Sequence, residues 1–291
     1  MGVFGGIEAG GTKFVCAVGD GSVVQEKIIF PTTSPTDTIQ QAMDFFDQYD
    51  IDSLGIGSFG PIDLNPNSAT YGYITKTPKN NWSQTDVVGP FKERYKVPIA
   101  WTTDVNAAAA GELKAGAAKN NQSCLYLTVG TGIGGGAVLK NGLLEGYGHP
   151  EMGHLLVRRH PEDDFEGTCP FHGDCLEGMA AGPALQARYG KSGKELANEP
   201  KVWEIEAYYL AQALISYTLI LSPEKIILGG GVMNQTHLLP MVRNTFKELL
   251  ADYIPVPPLE EYIVSPGLGD DAGIIGSLLL AKDAKEQTLS K

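Results

Sequence analysis

Hydrophobic residues recur along this chain in short blocks that alternate between a strand-like period of two and a helix-like period near 3.6. At the start, GGIEAGGTKFVCAVG followed by SVVQEKIIF reads as three strands. A glycine turn at Gly10 and Gly11 joins the first two, and a second turn spans Gly19 to Gly21. A helix-like stretch from Pro35 to Tyr49 precedes the apolar strand SLGIGSFG, and VPIAWTTD makes a further strand that runs directly into the alanine-rich helix VNAAAAGELKAGAAK. The layout then restarts. CLYLTVGTGIGGGAVLKNGLLEG gives a strand, a glycine-rich turn, a second strand and an Asn141-Gly142 hairpin turn, repeating the opening. EIEAYYLAQALISYTLILS is a long amphipathic helix, KIILGGGV a strand ending in three glycines, and AGIIGSLLLAKDAK a closing helix. Alternating strands and helices predict an α/β fold built from two related halves. The expected boundary lies near residues 118 to 121, where the alanine-rich helix gives way to KNNQ. That divides the chain into 1–118 and 119–291, with the closing helix a candidate to pack back on the first half.

Length supports the division, because 291 residues with 43% hydrophobic content exceed the usual single-domain size and can bury a large core. A formal charge of −12 argues against a broad nucleic-acid or anionic-membrane surface, leaving small molecules as the expected partners. No apolar run reaches the roughly 18 residues of a membrane span, and no opening segment has the basic end, apolar run and cleavage site of a leader. Four cysteines are too few for a disulfide scaffold. Cys16 and Cys124 sit in apolar strand-like runs, where a buried free thiol is the ordinary state. A cytoplasmic protein is the expectation.

Candidate chemistry is concentrated in HPEMGHLLVRRHPEDDFEGTCPFHGDCLEG, residues 149–178. His154, Cys169, His172 and Cys175 offer two imidazoles and two thiolates, a set that suits tetrahedral Zn²⁺ with every position filled by protein, and therefore a structural site. A Cys169 to Cys175 disulfide beside two incidental histidines is the alternative. Thirty-six glycines, many at strand ends, raise a second possibility, since such turns can cradle phosphates. In EAGGTK, Gly10 and Gly11 let the backbone approach an anion, Thr12 offers a hydroxyl and N–H, Lys13 adds charge, and Glu8 could hold water on Mg²⁺. In VGTGIGGG, Thr131 and Gly132 offer donors from the other half. Neither turn has Walker spacing, and neither leads into a helix as a Rossmann fingerprint does. Either could be a simple hairpin turn. Asp104 ends a strand and opens a helix, so it is a candidate general base for a hydroxyl, or else only a helix N-cap.

Taken together, EAGGTKF, SFGPID, TTDVNAAAAGE, TVGTGIGGG, HPEMGH, CPFHGDCLEG and ILGGGV resemble the ROK family of sugar kinases over nearly the whole chain. Glu8 where many relatives carry Asp, the TPKNNW segment and the CPFHGDC loop resemble the zinc-containing bacterial fructokinases of that family. The resemblance implies the actin-like, ribonuclease-H-like fold, with two α/β domains, ATP and sugar in the cleft between them, Mg²⁺ with the ATP, and commonly a homodimer. It implies Asp104 as catalytic base and Gly60, Glu151, His154 and Glu177 near the sugar. Near the nucleotide it implies Gly10, Gly11, Thr12, Lys13, Thr131, Gly132, Pro183 and the turn Gly230, Gly231, Val232, Met233 and Asn234. ROK glucokinases usually place Asn immediately before the catalytic Asp and after the Pro of the PN segment; here those residues are Thr103 and Lys79. Fructose is the leading acceptor, with mannose, glucose and N-acetylmannosamine as alternatives. A sugar-sensing ROK repressor is the rival class, disfavoured by the acidic balance and by a first strand that starts within a few residues of Met1, leaving no room for a preceding DNA-binding segment.

Overall fold

The computed structural model describes residues 2–140 and 142–289. The first half runs β1 (Phe4–Ala9), β2 (Lys13–Gly19), β3 (Val24–Pro31), α1 (Pro35–Phe46), β4 (Ser53–Ser58), β5 (Tyr73–Ile74), β6 (Thr85–Asp86), α2 (Val88–Tyr95), β7 (Ile99–Thr103) and α3 (Asp104–Ala115). The second runs β8 (Cys124–Val129), β9 (Ile133–Leu139), β10 (Gly142–Leu143), α4 (Leu176–Ala180), α5 (Gly182–Tyr189), α6 (Pro200–Leu221), β11 (Ile226–Gly229), α7 (Leu238–Leu250), α8 (Leu259–Tyr262), β12 (Ile263–Val264) and α9 (Ala272–Leu289).

The two large sheets have one topology. The first is ordered β3-β2-β1-β4-β7, antiparallel through β1 and parallel beyond it. The second, β10-β9-β8-β11-β12, repeats that pattern strand for strand. The repeat read from the glycine turns is therefore a duplication of architecture. Asn141, half of the expected hairpin turn, lies outside the described residues, while Gly142 opens β10 with φ +118°.

Helix α1 begins as expected, with Ser34 accepting from the Asp37 N–H and Pro35 in the first turn. It stops at Phe46 rather than Tyr49, because the N–H groups of Gln48 and Tyr49 turn to the carbonyls three residues back and tighten the exit. The sequence reading passed over α7 and the short β5–β6 hairpin. The hairpin carries TPKNNW and buries Trp82, whose indole N–H donates to the Thr33 carbonyl at 2.9 Å.

Helices α3 and α9 connect the halves. The α9 backbone lies so close to α3 that a Cβ at Gly276 would stand 1.7 Å from the Ala107 carbonyl oxygen, so only glycine permits the contact. Ser277 Oγ donates to the Ile7 carbonyl and Ser53 Oγ to the Ala281 carbonyl, tying α9 to β1 and β4. Helix α3 packs on its other side against β8 and β9, with Val105, Ala108 and Ala109 in one apolar cluster with Cys124, Tyr126 and Val138. Its N-terminus consequently opens where both sheets end. Glu112, fully buried near its C-terminus, accepts from the N–H groups of Ala117, Gly267 and Leu268 and fastens the approach to α9.

Candidate active site

Parallel strands expose their carboxyl ends on one edge of a sheet, where turns gather and ligands bind. Here β1 and β7 end at Ala9 and Thr103, and β8 and β11 end at Val129 and Gly229. A cleft of about 350 Å³ lies between these edges, with Glu8, Lys13 and Asp104 on one side and Gly230, Gly231 and Asn234 on the other.

Two carboxylates define its chemistry. Burial pushes Asp104 up to about 6, against the opposing pull of backbone N–H bonds and of His149. Glu8 is pushed further, to about 7, first by burial and then by the Asp104 charge. Its Oε2 is buried without a hydrogen-bond partner among the described residues, an orphan acceptor of the kind a hydrated cation satisfies. The alternative of Asp104 as a helix cap does not hold: Thr103 is the N-cap of α3, its Oγ1 accepting from the Asn106 N–H at 3.2 Å, while Asp104 Oδ1 accepts from the adjacent Val105 N–H. The Asp104 carboxylate is therefore free to serve the cleft.

The glycine turns lie around these carboxylates. Gly10 closes the β1–β2 turn by donating to the Lys13 carbonyl at 3.0 Å, whereas Gly11 faces open space and Thr12 and Lys13 are exposed. In the second half, Thr131 is exposed at the tip of the β8–β9 turn, and Gly130 accepts from Gly182 N–H, which brings Pro183 at the start of α5 beside that turn. Parallel pairing of β8 with β11 puts the two glycine turns side by side. Gly230 there has φ +91°, and a Cβ would collide with the Val129 backbone. Met233 and Asn234 line the cleft, but the Val232 side chain is 8% exposed and belongs to the core of the second half.

Glu177 is half-buried rather than solvated, and its Oε2 accepts from the Ile133 N–H at 2.8 Å beneath Gly132. Glu151 keeps a 49% exposed side chain, and burial still raises its carboxyl above the usual range. Thr103, one of the two departures from the glucokinase pattern, has its hydroxyl oxygen engaged in the α3 cap.

The four metal-ligand candidates converge, with their ligand atoms all within 4.8 Å of one another. Nδ1 of His154 stands 3.6 Å from Cys169 Sγ and 3.5 Å from Cys175 Sγ, and Nδ1 of His172 stands 3.7 Å from Cys169 Sγ. Bonds of about 2.3 Å to sulfur and 2.0–2.1 Å to nitrogen give a tetrahedron with N–S edges of about 3.6 Å, so the donors fit a zinc-sized tetrahedral ion. Cys169 and Cys175 are free thiols, and the disulfide alternative is not formed.

The profile of the ROK family matches residues 4–284. The chain belongs to the ROK family. It is 49% identical to a fructokinase from Pediococcus pentosaceus, covering 97% of this chain and 98% of that one. It is 50% identical to a fructokinase from Streptococcus mutans, covering 96% and 97%. A ROK hexokinase from Thermus thermophilus superposes with a TM-score of 0.81 at 28% identity, covering 98% of this chain and 99% of that one. The fold is the actin-like α/β fold of ROK sugar kinases.

One residue of this ROK chain was absent from the sequence reading. His149 is buried between the halves, its side chain 7% exposed, and its Nε2 accepts from the Ile62 N–H at 3.0 Å. The only sequence signal was its place in HPEMGH, five residues before the candidate metal ligand His154.

Proposed function

We propose that this chain is an ATP-dependent fructokinase, transferring the γ-phosphoryl group of ATP to D-fructose to give fructose 6-phosphate. The observation that carries the reading is a half-buried, uncapping Asp104 beside Glu8 at the meeting point of two glycine turns. The fructokinase relatives match over nearly their full length. In this reading Asp104, ionised above pH 6, accepts the proton of the sugar hydroxyl as that oxygen bonds to the γ-phosphorus. The bond from the γ-phosphorus to the bridging oxygen breaks, and ADP leaves with the electron pair. Gly11, Thr12, Thr131, Gly230 and Gly231 offer backbone donors to the nucleotide, with Lys13, Pro183, Met233 and Asn234 around it. Gly60, Glu151 and Glu177 form the sugar side. Mg²⁺ bound with ATP would neutralise phosphate charge, and Glu8 is the residue placed to hold its hydration shell. His154, Cys169, His172 and Cys175 would hold a structural zinc, and with His154 Nδ1 turned to the thiols, its role near the sugar is to fix the loop that presents Glu151 and Glu177.

The chain divides, in this proposal, into domains 1–118 and 119–291, with α9 packed back on the first. Two such chains would pair through the apolar face on α6, α7 and residues 156–158, where Leu156 and Ile220 are 73% and 74% exposed. No helix among the described residues is long and apolar enough to cross a membrane, and cytoplasmic sugar metabolism is the setting that fits. A coupled ADP-release assay should compare kcat/KM for fructose, mannose, glucose and N-acetylmannosamine. Fructose should lead. If another hexose exceeds it about tenfold, roughly 1.4 kcal/mol of barrier, the chain is a ROK kinase for that sugar instead.

A further inference from the structure

The wall of the cleft beside Asp104 is assembled from both halves of the chain, and one imidazole joins them. His149 comes from the segment after β10, whereas Ile62, whose N–H it receives, follows β4 in the first half. The same first-half turn continues into the TPKNNW hairpin: Ile62 bridges Ile74, and the Pro61 carbonyl accepts from both the N–H and the hydroxyl of Thr75. Gly60 sits against the ring, with its Cβ position 3.4 Å from His149 Cε1.

The bond to Ile62 fixes the tautomer. An Nε2 that accepts leaves the proton of the neutral imidazole on Nδ1, and Nδ1 stands 3.5 Å from Glu151 Oε1. Burial holds the imidazole below its ordinary pKa despite a backbone hydrogen bond to Pro150 and the carboxylates of Asp104 and Glu145, which favours this neutral form. His149 thus grips the first half through Nε2, while its ring stands beside the carboxylate of Glu151, two residues along the same segment.

We propose that His149 is a positioning residue for the acceptor sugar: by tying the segment that carries Glu151 to Ile62 it sets the spacing of the two walls between which the hexose hydroxyls are held. It does not touch the nucleotide side, so its loss changes sugar affinity selectively. This rests on the fructokinase reading, with Glu151 as a sugar contact.

The test is steady-state kinetics with fructose and ATP varied separately, alongside thermal melting. His149→Ala should raise KM for fructose by about tenfold, the usual scale for losing a buried polar partner, while KM for ATP stays within about twofold. His149→Gln, whose carboxamide oxygen reaches the Nε2 position, should recover much of the loss. In a Glu151→Gln background the alanine change should add little, because both changes act on the same wall of the sugar site. An unchanged fructose KM in His149→Ala would overturn the proposal, as would equal rises in both KM values with a lowered melting temperature that Gln does not restore. Should the Ala variant fail to fold, the Gln variant and the Glu151→Gln cycle built on it carry the same comparison. Asp104→Asn measured in parallel separates the two levels: retained turnover there would defeat the fructokinase reading itself, whereas collapse there with a normal His149→Ala defeats only this inference.

Discussion

Asp104→Asn removes a proton acceptor while preserving size, and the geometry gives opposite signs for its effects on turnover and on stability. The α3 cap survives, because Thr103 supplies it. Burial lifts the Asp104 carboxyl from an ordinary 3.8 to about 6. Between those values the folded state holds a proton that the unfolded state has released, so stability falls as pH rises and the full deficit is present above pH 6. That rise corresponds to about 3 kcal/mol as an upper bound, reduced in practice because the cleft admits water. Asparagine carries no such penalty. The variant should therefore match the parent at pH 4 and melt at the same or a higher temperature at pH 7 to 8, with the gap opening between. Turnover should go the other way: loss of a positioned base lowers kcat by about a hundredfold or more, roughly 2.7 kcal/mol in barrier. The parent's kcat/KM should decline below pH 6 as Asp104 takes up its proton. Coupled ADP release and melting curves over pH 4 to 8 measure both. A variant with near-parent turnover, or one destabilised while still active, would refute the assignment of Asp104 as base.

Glu8→Gln should raise the Mg²⁺ concentration needed for half-maximal turnover, about tenfold on the scale of an outer-shell ligand; an unchanged Mg²⁺ titration would remove Glu8 from the cation's environment. Purified protein should carry one zinc per chain by elemental analysis, and Cys169→Ser should lose the metal and lower the melting temperature. Active protein free of zinc would exclude the structural site. Glu206 is fully buried with neither carboxylate oxygen partnered among the described residues, and burial raises its pKa well above the ordinary range despite nearby Arg188. Its protonated folded form loses stability as pH rises past 4.5, so Glu206→Gln should gain on the parent in urea midpoint between pH 5 and 8; a pH-independent difference would contradict that.

Much of the fold was legible because each half opens with the same local signals. Strand, glycine turn, strand is a contiguous pattern, and finding it at Gly10 and again at Thr131 was enough to anticipate the duplication. The convergence of the candidate metal ligands was legible for the same reason: three of the four lie within residues 169–175. Asp104 was located, but its role was ambiguous, because strand-end carboxylates and N-caps share a sequence position and only the hydrogen bond to Thr103 Oγ1 separates them. Glu177 was a candidate for the sugar side, but nothing in CLEG reveals that Ile133, more than forty residues earlier, donates to it. His149 was illegible because its meaning depends on Ile62 in the other half. Contacts within a segment leave a pattern in the sequence; contacts between halves do not.

The acidity of the chain bears on how the cleft can admit a nucleotide. With Glu8, Asp104 and Asp270 lining it and Lys13 as the cation beside them, the cleft has no basic field to attract a polyphosphate. Its favourable interactions must be short-range: backbone N–H groups from two adjacent turns, and a divalent ion that arrives with the phosphates. A carboxylate pair pushed toward neutrality by burial fits this arrangement. Before the cation arrives, burial first and the nearby Asp104 charge second keep Glu8 near 7. A cation beside Glu8 reverses the sign of that interaction, stabilising the ionised form of Glu8 and, through it, easing the field on Asp104. The local pKa values of the empty cleft are thus those of a site whose charge is balanced when nucleotide and metal enter together, and entry of the cation extends the pH range over which Asp104 is ionised.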